Sequence, residues 1–73
     1  MVEKPSAPFE ELNRKEKEIV RVLNATRRPM NTNQIAEKAD MSWQTAKKWL
    51  EELHTKKYVI YRSESGGTYW RLR

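Results

Sequence analysis

From Asn13 onward the apolar residues of this chain fall at helical spacing. Ile19, Val22, Leu23 and Thr26 recur on one face of a segment spanning 13–26, with Val20 nearby and Lys15, Lys17, Glu18 and Arg21 on the polar flanks. Asn13 followed three residues later by Glu16 is a capping-box arrangement, in which each side chain satisfies a backbone N–H at the helix start. Pro29 prevents continuation, because proline has no N–H and its ring clashes with the preceding turn. Asn31-Thr32-Asn33-Gln34 opens a second helix of about two turns with Ile35, Ala36 and Ala39 as its apolar face, and either Asn31 or Thr32 can cap it. After a brief break at Asp40-Met41, Ser42 caps a third helix running to about Lys56. At about 100° per residue, Ala46, Leu50 and Leu53 share a core-facing sector roughly 60° wide, Trp43 and Trp49 lie on its edges, and Gln44 and Lys48 point the opposite way. Past Lys57 the period becomes extended. Two runs rich in β-branched and aromatic residues, 58–62 and 68–73, flank Ser63-Glu64-Ser65-Gly66-Gly67, which predicts a β-hairpin whose glycines supply positive φ in the turn. An isolated hairpin is marginal in water, so its apolar face must pack on the helices.

Residues 1–8, with two prolines and little apolar content, read as a flexible tail, and 9–73 as one small domain in which Phe9 and Leu12 are possible anchors. At 73 residues without cysteine, the chain has no disulfide or thiolate-zinc staple, so packing must carry its stability. Seven aromatics supply much of that apolar surface, and losing one should be costly. Fifteen Lys and Arg against ten Asp and Glu leave a net charge of +5, which favours polyanionic partners. No apolar run approaches the length of a membrane span, and the N-terminal stretch lacks the apolar centre of a signal peptide, so the cytoplasm, or the nucleus if the source has one, is the expected compartment. One histidine, no nucleophile and base at productive spacing, and no helix-opening glycine loop argue against an enzyme and against a cofactor or metal.

The order helix, helix, tight turn, helix, hairpin, together with the stretch from Asn33 to Leu50, resembles the winged helix-turn-helix family of prokaryotic and archaeal transcriptional regulators. Ile35-Ala36, the short turn, the Met41-Ser42 step, and Thr45-Ala46 followed by Leu50 and Leu53 match that family's pattern. Tyr69-Trp70-Arg71-Leu72 is similar to the end of its second wing strand. The resemblance implies an α+β, mainly α fold, a three-helix winged helix-turn-helix with a C-terminal two-stranded wing. Ala36 is then small because helices cross there, and Met41 plugs the space under the turn. Asp40 stands where glycine is common and is tolerable because Asp visits left-handed conformations more readily than most residues; Lys57 stands at a second such position after the third helix, whose end must be capped differently or carry mild strain.

The resemblance further implies a double-stranded DNA partner, with the third helix in the major groove. Ser42 and Thr45 would then meet phosphates, and Gln44, Lys47 and Lys48 base edges or adjoining phosphates. Trp43 either packs partly against the earlier helices or touches a sugar or thymine methyl; Trp49 belongs to the core or its edge, and His54 to the surface. The wing candidates are Arg62, Ser63, Ser65, Gly66 and Gly67, with Glu64 a cost at such a tip. Arg27 and Arg28 are either partners of a helix C-terminus or a phosphate clamp, and Asn33 offers a further phosphate hydrogen bond. Arg71 and Arg73 read equally as backbone contacts or solvated strand. A monomer is expected in solution, with a protein partner or weak homodimer on DNA possible. A protein-docking winged helix is the alternative function. Left-handed-DNA readers resemble the chain less, because the third helix lacks their Asn and Tyr pattern and the wing their paired prolines.

Overall fold

The computed structural model describes residues 8–64 and 66–73, so the proposed tail up to residue 7 and the wing residue Ser65 lie outside the described residues. A 3-10 turn, Phe9–Glu11, leads into α1 (Arg14–Thr26), β1 (Met30–Asn31), α2 (Thr32–Lys38), α3 (Trp43–Thr55), β2 (Val59–Glu64) and β3 (Gly67–Leu72). The helix starts follow the caps read from the sequence. Asn13 and Glu16 form a complete capping box, and at α2 the choice resolves to Asn31, which forms one with Gln34. At α3 the Ser42 hydroxyl accepts from the Thr45 backbone N–H. The helix ends depend on residues other than glycine in the left-handed region: Arg27 (φ 57°), Asp40 (φ 55°) and Lys57 (φ 67°), each a mild local strain that surrounding contacts must offset.

Two features correct the sequence reading. The hairpin is longer than the 58–62 and 68–73 runs suggest, since Ser63 and Glu64 continue β2 and Glu64 pairs with Gly67. Gly66 (φ 106°) and Gly67 (φ 153°) take values that a side chain would disfavour, as expected. The sheet also has a third strand, because Met30 and Asn31 pair antiparallel with Trp70 and Tyr69, making the order β1-β3-β2. Two residues are too few to show a period of 2, which is why β1 escaped the pattern.

The core is continuous from Leu12 through Ile19, Leu23, Met30, Ile35, Leu50, Leu53 and Val59 to Trp70. Ala36 and Ala46 are buried where the helices approach, and Met41 and Trp49 pack partly buried against this cluster. Trp70 ties the sheet to α2, its indole Nε1–H donating to the buried Thr32 hydroxyl at 3.0 Å. Near the end of α3, burial and then the Glu10, Glu11 and Glu16 carboxylates hold the Tyr58 phenol above its ordinary pKa of 10.0.

Glu16 does more than cap. It is 1% exposed, and while one carboxylate oxygen accepts from the Asn13 N–H, the other meets Lys56 Nζ at 2.8 Å, joining the start of α1 to the end of α3. A buried charge deprived of its partner loses far more than a surface pair does. Replacing Lys56 by alanine should therefore cost about 1–3 kcal/mol, with Lys56→Arg retaining most of it. The urea midpoint should fall at unchanged slope. A loss below about 0.5 kcal/mol would mean that the pair counts only as a surface one.

Candidate nucleic-acid interface

The side of α3 that carries Ala46, Leu50 and Leu53 is fully buried, and this holds Gln44, Lys47 and Lys48 out in solvent on the first turns of the helix. Ser42 and Thr45 are partly committed to the cap. The Ser42 hydroxyl donates to Thr45 Oγ1 at 2.8 Å while accepting from the Thr45 N–H, whereas Thr45 keeps its own hydroxyl proton for another acceptor. Thr45 is thus better placed than Ser42 to donate to an anion.

Each lysine lies on an indole. Lys47 Nζ sits 5.2 Å from the centroid of the Trp43 ring and Lys48 Nζ 4.8 Å from that of Trp49. At exposed sites such cation–π contacts contribute about 0.5–1 kcal/mol, enough to bias where a flexible ammonium rests. Trp49 falls at the core edge, as expected; Trp43 is 46% exposed, with the Lys47 ammonium over its ring. Glu51 and Glu52 are exposed one turn further on.

The strand register decides which way the wing side chains face. Val59 and Trp70 are in the core, so Tyr61, Ser63 and Thr68 share the helix-side face of the hairpin, and Ile60, Arg62, Glu64, Tyr69 and Arg71 share the other. Ser63 is therefore on the α3 side, while Arg62 faces outward opposite Tyr69, its Nε 3.3 Å from the Glu64 carboxylate. Gly66 and Gly67 are exposed with open space where a Cβ would stand.

Sequence reasoning left Tyr61 and Thr68 out of the DNA-facing set. Tyr61 is 52% exposed, its ring edge-on to His54 of α3 at 5.0 Å and tilted on Trp70 at 5.3 Å. The chain of contacts His54, Tyr61, Trp70, Thr32 runs from α3 through the hairpin to α2 and sets the angle of the wing to the helix. Strand alternation counted from Val59 and Trp70 was the signal that could have found them.

Arg27 and Arg28 are exposed, and the hollow they line with Asn24, Pro29 and Arg71 contains no α3 residue. Asn33 is exposed on the first turn of α2. The predicted residues therefore fall into an α3 group, a hairpin group split between two faces, and an arginine group beside Pro29. Among the described residues no cluster of His, Asp and Glu could hold a metal ion, and no helix is long and apolar enough to cross a membrane.

No protein-family model matches the sequence, and no curated protein matches it. Solved structures do. The Zα domain of Carassius auratus PKZ, determined in complex with Z-DNA, superposes with a TM-score of 0.73 at 20% identity, over 81% of this chain and 92% of that one. Dissimilatory sulfite reductase D gives 0.72 at 21% identity, over 85% and 89%. ZitR, a zinc-responsive MarR family member of Lactococcus lactis, gives 0.75 at 19% identity, over 97% of this chain, which spans about half of ZitR (52%). At these identities the likeness establishes the fold: three helices and a C-terminal β-hairpin wing, a winged helix-turn-helix.

Proposed function

We propose that this domain binds double-stranded DNA in a sequence-selective way, as a small transcriptional regulator, by seating the first turns of α3 in the major groove. The observation that carries this reading is the outward face of α3, where Gln44, Lys47 and Lys48 stand exposed over a fully buried Ala46, Leu50 and Leu53. Gln44 has the paired donor and acceptor that adenine recognition requires, and the lysines can donate to guanine or to phosphates. Thr45 donates to a phosphate near the positive end of the helix, and Trp43 offers an apolar ring to a thymine methyl or sugar. Ser63, Thr68 and the backbone N–H groups of Gly66 and Gly67 form the wing's contribution to the flanking strand, and Arg62 reaches the backbone from the tip. The fold is shared with a domain solved on Z-DNA and with a MarR family member, which is consistent with a nucleic-acid partner.

A duplex titration tests this. If about five phosphates are engaged, log affinity should fall with log salt at a slope of about −4 to −5, and no binding at low salt would sink the proposal. Gln44→Ala should relax base preference at one position at a cost of about 1–3 kcal/mol. On an alternating d(CG) duplex the circular dichroism should remain that of the right-handed form, since α3 carries no Asn or Tyr.

The exposure of both Trp43 and Tyr61 favours a second reading, a protein-docking surface. Lys47 over the Trp43 ring weighs against it, because a docked apolar partner would have to desolvate that ammonium. Trp43→Ala separates the two: it should weaken duplex binding, and an unchanged duplex affinity would favour the docking surface.

A further inference from the structure

The outward face of the sheet carries a second cationic surface, whose hollows contain no α3 residue. Ile60 and Tyr69 are half-buried there, although the core is on the other side of the hairpin. With Pro29, Tyr61, Arg62, Glu64 and Arg71 they line a hollow of about 680 Å³. A second hollow of about 360 Å³ shares Pro29 and Arg71 with the first and is bordered by Arg27, Arg28 and Asn24. Four arginines thus surround two adjoining depressions. Among the described residues the single acid lining either one is Glu64, and it is already beside Arg62 at 3.3 Å.

We infer that this face binds a single-stranded nucleic acid, with an unpaired base lying on Tyr69 and Ile60 between Arg62 and Arg71, and neighbouring phosphates on Arg27 and Arg28. The combination of groups selects this occupant. A planar phenol and an aliphatic side chain on a concave floor suit the flat, apolar face of a base, while guanidiniums at the rim suit phosphate and can stack on the same base. A duplex keeps its base faces stacked inside, so it would offer only its backbone and leave the Tyr69 and Ile60 floor unmatched. An acidic peptide would satisfy the arginines but has no flat ring for the floor. The geometry also accounts for the grouping of Arg27 and Arg28 with Arg71, which a role on the α3 groove leaves unexplained. A single chain can then hold a duplex on α3 and a separated strand on the sheet; Arg62 is shared between them, whereas Tyr69 and Arg71 serve the single strand alone.

The test uses the isotopically labelled full chain titrated with a 12-nucleotide oligo(dT), a 12-nucleotide oligo(U), a 12-base-pair duplex and a poly-glutamate peptide. Single strands should shift the amide signals of Ile60, Arg62, Tyr69 and Arg71, and the duplex those of 43–48. Tighter binding of oligo(U) assigns the strand to RNA, tighter binding of oligo(dT) to DNA, and equal binding to stacking and phosphate contacts common to both. Tyr69→Ala should weaken single-strand binding about fivefold to a hundredfold, and Tyr69→Phe, which keeps the ring, should stay close to wild type. Should Tyr69→Ala unfold, Arg71→Ala carries the same test, because Arg71 is exposed: it should weaken single-strand binding several-fold and leave duplex affinity unchanged. Single-strand shifts confined to α3, an unchanged affinity in Arg71→Ala, or poly-glutamate binding as tightly as the oligonucleotides would overturn the inference.

Discussion

Replacing Trp70 by alanine should leave the domain largely unfolded at 25 °C. Truncating a large buried aromatic costs about 3–5 kcal/mol, and a core of this size has a total of about that much to lose. Trp70 is 5% exposed in the central strand, opposite Met30 on one side and Tyr61 on the other, so its loss opens a cavity where both strand pairings meet. It also removes the donor to Thr32, leaving a buried hydroxyl without that partner, and the ring on which Tyr61 leans. Trp70→Phe isolates the second effect from the first. It keeps most of the volume, loses the N–H, and should cost roughly 1–3 kcal/mol. Urea denaturation followed by circular dichroism measures both. If Trp70→Ala melted within a few degrees of wild type, the hairpin would be an appendage rather than part of the core.

The largest effect on binding should come from reversing two charges at once, Lys47→Glu with Lys48→Glu. On the proposed reading each lysine contributes about 1–3 kcal/mol at a base edge or phosphate, so together they should weaken duplex affinity by roughly two orders of magnitude or more. The salt slope should become shallower by about 2, since two fewer counterions are displaced. Both residues are exposed, and folding should suffer little beyond the loss of the two contacts with Trp43 and Trp49, about 0.5–1 kcal/mol each. Fluorescence anisotropy on a labelled duplex at several salt concentrations provides the affinity and the slope from one set of samples. Retention of wild-type affinity with a well-folded variant would remove α3 from the interface altogether.

Much of the fold was legible because its cues are local. Asn13 with Glu16, and Ser42, are caps whose partners lie three residues away, and the structure contains both; at α2 the sequence left Asn31 and Thr32 open and the structure uses Asn31 with Gln34. The apolar stripe of α3 is likewise a matter of spacing along one helix, and Ala46, Leu50 and Leu53 are all fully buried. The left-handed Asp40 could be expected from where it falls after a helix, whereas at Lys57 the structure chose the strained option over a different cap. Residues meeting across long sequence separations gave no such signal. Glu16 and Lys56 are forty positions apart and Trp70 and Thr32 thirty-eight, and nothing in the neighbourhood of any of the four announces its partner.

The candidate site divides in the same way. That Gln44, Lys47 and Lys48 oppose the core follows from a rotation of about 100° per residue, so the sequence alone determined the exposed basic face of α3, along with the helix starts and the need for glycine at the wing turn. Tertiary structure decided the rest. Pairing with Met30 and Asn31 made a three-stranded sheet, and register sent Ser63 toward α3 but Arg62 toward the outer face. The return of β3 beside Pro29 brought Arg71 to Arg27 and Arg28. Helical period and capping are properties of a few consecutive residues, whereas register and the convergence of distant arginines exist only once the sheet closes on the helices.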